Sequence, residues 1–280
     1  MERQEPTFGD GARPAPPRET RSPPPLAAVV VVIVALIAAA AIAAYFFWPR
    51  GAPPPPPGPE RATVPAAPAL PAAKGPQHPL EAEATDQPLP TLKESDGPVA
   101  AALSALIGSD AFGRVFLTEN LVRNIVATVD NLPRDSVARR VNPLQPVPGL
   151  PATTGKGSSL ALAPANSARY AAYMRLVDGV SADKLVSFYR RHYPLFQEAY
   201  VELGYPNGYF NDRLVEVVDH LLDTPEPAGP IRLTQPKVLY EFADPQLEEL
   251  SAGQKMMLRI GKDNRERVKA KLREIRAALH

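Results

Sequence analysis

The sequence contains no cysteine. That excludes disulfides, thiolate metal sites and a cysteine nucleophile, so any fold must rest on packing and hydrogen bonds. Net charge is +1 at pH 7, which gives no basis for general nucleic-acid binding. Histidine is scarce as well. Of the four, His78 falls in a proline-rich stretch, His280 is the last residue, and His192 and His220 lack a partner at metal-binding helical spacing. No metal and no cofactor is therefore expected. The run GLPATTGKGSS at 149–159 looks like a phosphate loop and fails as one. It has one residue too many between Gly149 and Gly155, and a glycine follows Lys156 where a hydroxyl is needed. Ser158 and Ser159 lack the context of a nucleophile elbow.

What is present is unevenly spread. Most of the 35 prolines precede Thr91, so that part cannot hold a packed core, whereas the remainder is long enough for one. Within the first part, Leu26 to Trp48 reads LAAVVVVIVALIAAAAIAAYFFW, uncharged throughout. At about 1.5 Å per residue this length spans a hydrocarbon core of roughly 30 Å. Its end is an aromatic belt followed by Pro49, unlike the small-residue end of a cleaved signal peptide. Arg3, Arg13, Arg18 and Arg21 precede the span, while Arg50 alone follows closely, which favours a cytoplasmic N-terminus and an exported C-terminal domain. The domain plan is a disordered arm at 1–25, a transmembrane helix at 26–48, a proline-rich linker at 49–91 and a folded domain at 92–280. If extended, the linker reaches on the order of 130 Å at ~3.1 Å per residue.

From Leu92 the apolar residues follow a helical period. Val99, Leu103, Leu106 and Ile107 form one face, opened at Asp96 and closed by Gly108. Thr118 is expected to cap a helix carrying Leu121, Val122, Ile125, Val126 and Val129. Residues 134–166, with five prolines and TTGKGSS, read as a long loop, the best candidate for a lid or binding loop. Ser181 caps ADKLVSFYRRHYPLFQEAYVELG, in which Pro194 predicts a kink or break. Another helix follows over Leu214–Leu222. Residues 231–234 and 238–242 suggest two short strands around Gln235-Pro236. Ser251 with Gln254 suggests a capping box, and a last helix carries Val268, Leu272, Ile275 and Leu279. The expected fold is mainly α: a helical domain with a short β-hairpin, preceded by the transmembrane helix and the linker.

Candidate functional residues are of the binding type. Arg169, Tyr170, Tyr173, Tyr189, Arg190, Arg191, Tyr193, Tyr200, Tyr205 and Tyr209 crowd together, and Tyr and Arg favour binding surfaces. The same tyrosines also suit a core edge with their hydroxyls in water. Lys255, Arg259, Lys262, Arg265, Lys269 and Arg273 suggest a basic face able to meet anionic headgroups, or simply a solvated helix surface. Carboxylates at helical spacing, Glu198 with Glu202 and Asp219 with Asp223, are the material for an acid/base pair in cell-wall hydrolysis.

The strings RYAAYMRLVDGVSADKLVSFYRRHYPLFQEAYVELGYP and YEFADPQLEELSAGQKMMLRIGKDN resemble the bacterial family catalogued as domain of unknown function 3014, over roughly Leu92 to Leu279. The resemblance implies one N-terminal span, a proline-rich linker and this domain, with no established activity or site residues. The expectation is a single-pass protein of the bacterial inner membrane with a periplasmic domain. It would act as a non-enzymatic envelope binding or scaffold module for another envelope protein or a cell-wall component. A carboxylate-pair hydrolase and a membrane-surface docking module stand as alternatives.

Overall fold

The computed structural model describes residues 75–81, 83 and 88–279. The expected arm at 1–25, the membrane helix at 26–48 and the linker as far as residue 74 lie outside the described residues. Among the described residues no helix is long and apolar enough to cross a membrane. The fold is mainly α. Nine α-helices run in order among the described residues: α1 Asp96–Ile107, α2 Ser109–Val115, α3 Leu121–Asn131, α4 Ala171–Gly179, α5 Ala182–Glu202, α6 Phe210–Leu222, α7 Pro245–Glu248, α8 Ala252–Arg259 and α9 Lys262–Ala278. Four two-residue strands join them: β1 Thr153–Thr154, β2 Ala161–Leu162, β3 Leu233–Thr234 and β4 Glu241–Phe242.

Helix α3 is the centre. Leu121, Val122, Ile125, Val126 and Val129 are buried as their spacing predicts, and α1, α5 and α6 pack around them. Its N-terminus is not capped by Thr118. Asn120 stands in the left-handed region at φ 51°, and Asp96 accepts the backbone N–H of both Asn120 and Leu121 at 2.7 Å. One carboxylate, 24 residues upstream, thus satisfies the free N–H groups of α3 and complements its dipole. Elsewhere local caps act as read. Gly108 ends α1, and Ser181 accepts from the Lys184 N–H at the start of α5. Ser251 accepts from Gln254 N–H at 3.2 Å, but the Gln254 amide donates to His220 O, so only half of the expected capping box forms.

Two expectations are corrected. Residues 134–166 are not a free lid. Leu117 N–H donates to Pro143 O and Gln145 N–H to Val115 O, Phe116 bridges Leu144, and Val137, Leu144 and Val147 are buried. Proline removes donors, yet the loop's carbonyls remain, and the helical body supplies the N–H groups that hold them. The loop's second half adds strands. β1 pairs antiparallel with β2 and β3 with β4, and a single bridge, Ala161↔Arg232 just ahead of β3, joins the two. The expected hairpin is therefore one of two two-stranded sheets, which that one bridge joins into a meander. Leu233, Phe242 and Leu258 form a small second core behind it.

The second correction concerns the linker, whose last part belongs to the folded unit. Leu80 and Leu89 pack against the main core, and Leu92 is 2% exposed.

Packing is tightest where α8 starts. A Cβ on Gly253 would lie 2.7 Å from Leu221 Cδ2 and 3.1 Å from Leu132 O. Gly253→Ala is expected to destabilise the domain by about 1–3 kcal/mol through overpacking, measurable as a lowered urea midpoint with an unchanged m-value.

Candidate functional site

Helix α5 and the turn after it carry most of the predicted binding residues, and their spacing decides where they point. Tyr189, Tyr193, Phe196 and Tyr200 recur at helical intervals and so share one face. That face is turned inward. Tyr189 and Phe196 meet edge-on at 5.4 Å, Phe196 stacks on Phe210 at 5.9 Å, and Tyr200 stacks on Tyr205 at 4.5 Å. Tyr170, Tyr189 and Tyr200 are buried, while Tyr193 and Tyr205 are half-buried. Burial pushes the Tyr189 phenol well above its ordinary range and the Tyr200 phenol up to about 12. The Tyr189 and Tyr200 hydroxyls thus remain protonated at any physiological pH.

The arginines act as fasteners. Arg169 donates to Gly149 O at 2.7 Å and to Asn166 Oδ1, fixing the 143–166 segment. Arg190 donates to Ala278 O at the end of α9. The Tyr205 hydroxyl donates to Asp130, a carboxylate 2% exposed, which also receives Arg134 at 2.7 Å and Arg213 at 2.9 Å. The Tyr/Arg residues are therefore brought together as core and struts, not as one open surface.

The predicted basic face is divided likewise. Arg259, Arg265 and Lys269 are buried. Lys269 donates to Thr224 O and pairs with Glu226, Lys255 pairs with Glu248, and Arg259 lies 5.0 Å over the Phe242 ring. Burial pulls the Arg259 guanidinium down to about 10, which leaves it charged at neutral pH. Lys262 and Arg273 are exposed. One member of each carboxylate pair is tied too. Glu202 hydrogen-bonds Arg123 at 2.7 Å, and that bond holds it below the usual carboxylate range, the opposite of a general acid. Asp219 accepts from Arg276. Among the described residues no group of His, Asp and Glu could hold a metal ion.

A profile of the family described as "Protein of unknown function (DUF3014)" matches residues 121–276. The chain belongs to this family. No curated protein and no solved structure matches it. The DUF3014 match takes in α3 to α9 and leaves α1 and the segment before it outside.

Those two outer pieces complete a site that the residue types alone did not reveal. Pro194 does not break α5, which runs unbroken from Ala182 to Glu202. Proline has no N–H, so the Arg190 carbonyl four residues earlier loses its helical partner. Glu83 N–H reaches that carbonyl at 3.4 Å, and Arg191 pairs with the Glu83 carboxylate. Upstream, Asp212 accepts the backbone N–H of Gln77 and His78 at 3.0 and 2.7 Å, and Asn211 donates to His78 O. Residues 77, 78 and 83 thereby strap this segment onto α5 and the start of α6.

Beside the strap, α1 and α5 enclose a groove of about 490 Å³. Ala102, Ala105, Leu106 and Phe188 give it an apolar floor, and Glu83, Asp183, Lys184 and Arg191 a charged rim. His192 closes one side, its ring stacked on Phe188 at 4.3 Å. His192 Nδ1 lies 2.8 Å from Phe188 O. A carbonyl only accepts, so Nδ1 carries the proton and Nε2 is left as acceptor. The signal for this groove in the sequence was the proline inside an otherwise helical pattern.

Two outcomes follow. Pro194→Ala restores the donor for Arg190 O, so Glu83 N–H is displaced; its amide should exchange roughly tenfold faster while the melting temperature holds or rises. The pH dependence has a fixed sign. Burial lowers the pKa of both His192 and His220, so the unfolded chain takes up protons first. Their stabilising contribution is full above the unfolded value of about 6.5 and declines as pH falls through it. Thermal melts between pH 7.5 and 5 should show this loss, and His192→Gln should flatten it.

Proposed function

We propose that this DUF3014 protein is a membrane-anchored binding module of the bacterial envelope, with one inner-membrane helix at 26–48 and the helical domain in the periplasm. Its partner is another envelope protein or a cell-wall component. The observation that carries the reading is the α1–α5 groove. An apolar floor with a mixed-charge rim suits a short amphipathic segment of a partner, and the volume takes one or two side chains.

The groove sits where the chain coming from residue 74 is strapped to the domain. The linker that remains ahead of the strap is thus shorter than the sequence first suggests, with an upper reach on the order of 80 Å at ~3.1 Å per residue. A partner bound there would be held at a bounded distance from the bilayer. One carboxylate of each pair a hydrolase could use is engaged, Glu202 with Arg123 and Asp219 with Arg276, which favours binding over turnover.

The test is in-cell crosslinking of the tagged full chain with Ala105→Arg, an exposed position on the groove wall. Recovery of the crosslinked partner should fall at least about tenfold, as expected on blocking a buried anchor pocket, with the melting temperature unchanged. Equal recovery from the variant would sink the proposal.

A further inference from the structure

The β-meander places a second surface on the molecule. Because β1–β2 and β3–β4 pair antiparallel and the single bridge Ala161↔Arg232 that joins the two sheets is antiparallel too, the turns at 155–160 and 235–240 come to the same end. Arg232 donates to Ser158 O at 2.8 Å, tying one turn to the other hairpin. Both turns are stiff. A Cβ on Gly155 would lie 2.3 Å from Ser159 O, and the Ser159 hydroxyl bonds back to Lys156. In the other turn, Gln235 Nε2 donates to Val238 O at 3.0 Å.

What these turns hold out is unusual for a water-facing surface. Val238 is 84% exposed, the most exposed large apolar side chain among the described residues. It cannot fold back, because Leu239 and Tyr240 beside it already face inward, packed on the main core and the second core. Lys237 is exposed next to it, Lys156 is exposed on the neighbouring turn, and neither turn contains an acidic residue.

We propose that this tip is a contact point for an anionic lipid surface, with Val238 entering the headgroup boundary and Lys156 and Lys237 meeting the phosphates. A single convex apolar side chain is too small for a protein interface, which takes about 800 Å² from each partner. A fluid bilayer closes around a projecting residue without needing a matching pocket, and cations at its base gain from lipid charge. Such a contact is weak alone. It becomes effective when the bilayer is already within tether reach, since the second contact is then intramolecular; in that respect it rests on the anchored reading above.

The lack of cysteine makes a direct experiment clean. An environment-sensitive dye on Val238→Cys would be the sole thiol label in the full chain. Leu150→Cys is the control, since Leu150 is 74% exposed but precedes β1 at the opposite end of the meander. Both are reconstituted into phosphatidylcholine vesicles, with or without phosphatidylglycerol, containing a lipid-borne quencher.

Quenching is expected at position 238 on anionic vesicles alone, and not at position 150. It should fall roughly fivefold or more with Lys156→Glu/Lys237→Glu or at about 0.5 M salt, where the Debye length is on the order of 4 Å. Absence of quenching at 238, equal quenching at both positions, or indifference to lipid charge overturns the proposal. Flotation with the neutral vesicles separately tests the anchor. If the chain does not float there, the anchored reading fails and flotation with anionic vesicles decides the tip: flotation lost in the double Lys→Glu variant supports it, and none at all overturns it.

Discussion

Burial of one carboxylate organises this domain. Asp130, at the last turn of α3, is 2% exposed and would be intolerable there without counter-charges. Arg134 reaches it from beyond the helix end, Arg213 from α6, and the Tyr205 hydroxyl from the turn after α5. Arg213 also donates to the Asp130 carbonyl at 2.7 Å, and Arg134 to the Tyr205 hydroxyl at 2.8 Å. Each group is satisfied only if all four segments are in place. Helix α3 thereby fixes α5 and α6, and these in turn form the seat of the strap.

The same economy of long-range polar contacts runs through a chain that has no cysteine with which to form a disulfide. Asp96 caps α3, Asn166 receives Arg169 while its amide donates to Arg259 O, and Lys269 covers the Thr224 carbonyl after α6. Charged side chains that look destined for solvent serve instead as fasteners between elements. This explains why an arginine- and lysine-rich C-terminal helix offers so little free charge to a ligand. Exposed charge also lines the rim of the α1–α5 groove and the turns of the meander.

Proline has opposite consequences in the two halves of the chain. In 134–166 it keeps the chain out of α-helix and leaves carbonyls that the helical body then holds. In α5 a single proline is absorbed without a break, and the carbonyl it frees becomes the attachment for Glu83. That missing N–H, with Asp212 and Asn211 holding Gln77 and His78, seats the strap beside the groove. The DUF3014 match begins at α3, whereas the groove needs α1 and the strap as well.

The sequence by itself determined the helical class, the positions of most helices and several of their ends, because period and capping are local. Val99 to Ile107, the α3 stripe and the Tyr189–Tyr200 row could be read from spacing alone, as could Gly108 and Ser181. It could also supply the residue types of a binding surface, but not their direction. Only the tertiary structure decided that the tyrosines face inward, that Arg259, Arg265 and Lys269 are buried, and that residues 143–166 pair with a hairpin more than sixty positions later. Only it decided that Asp96 serves α3 and Glu83 serves α5. The physical reason is the same each time. A stripe or a cap is set by neighbours in sequence, whereas a polar group's partner is whichever element the fold brings within about 3 Å of it.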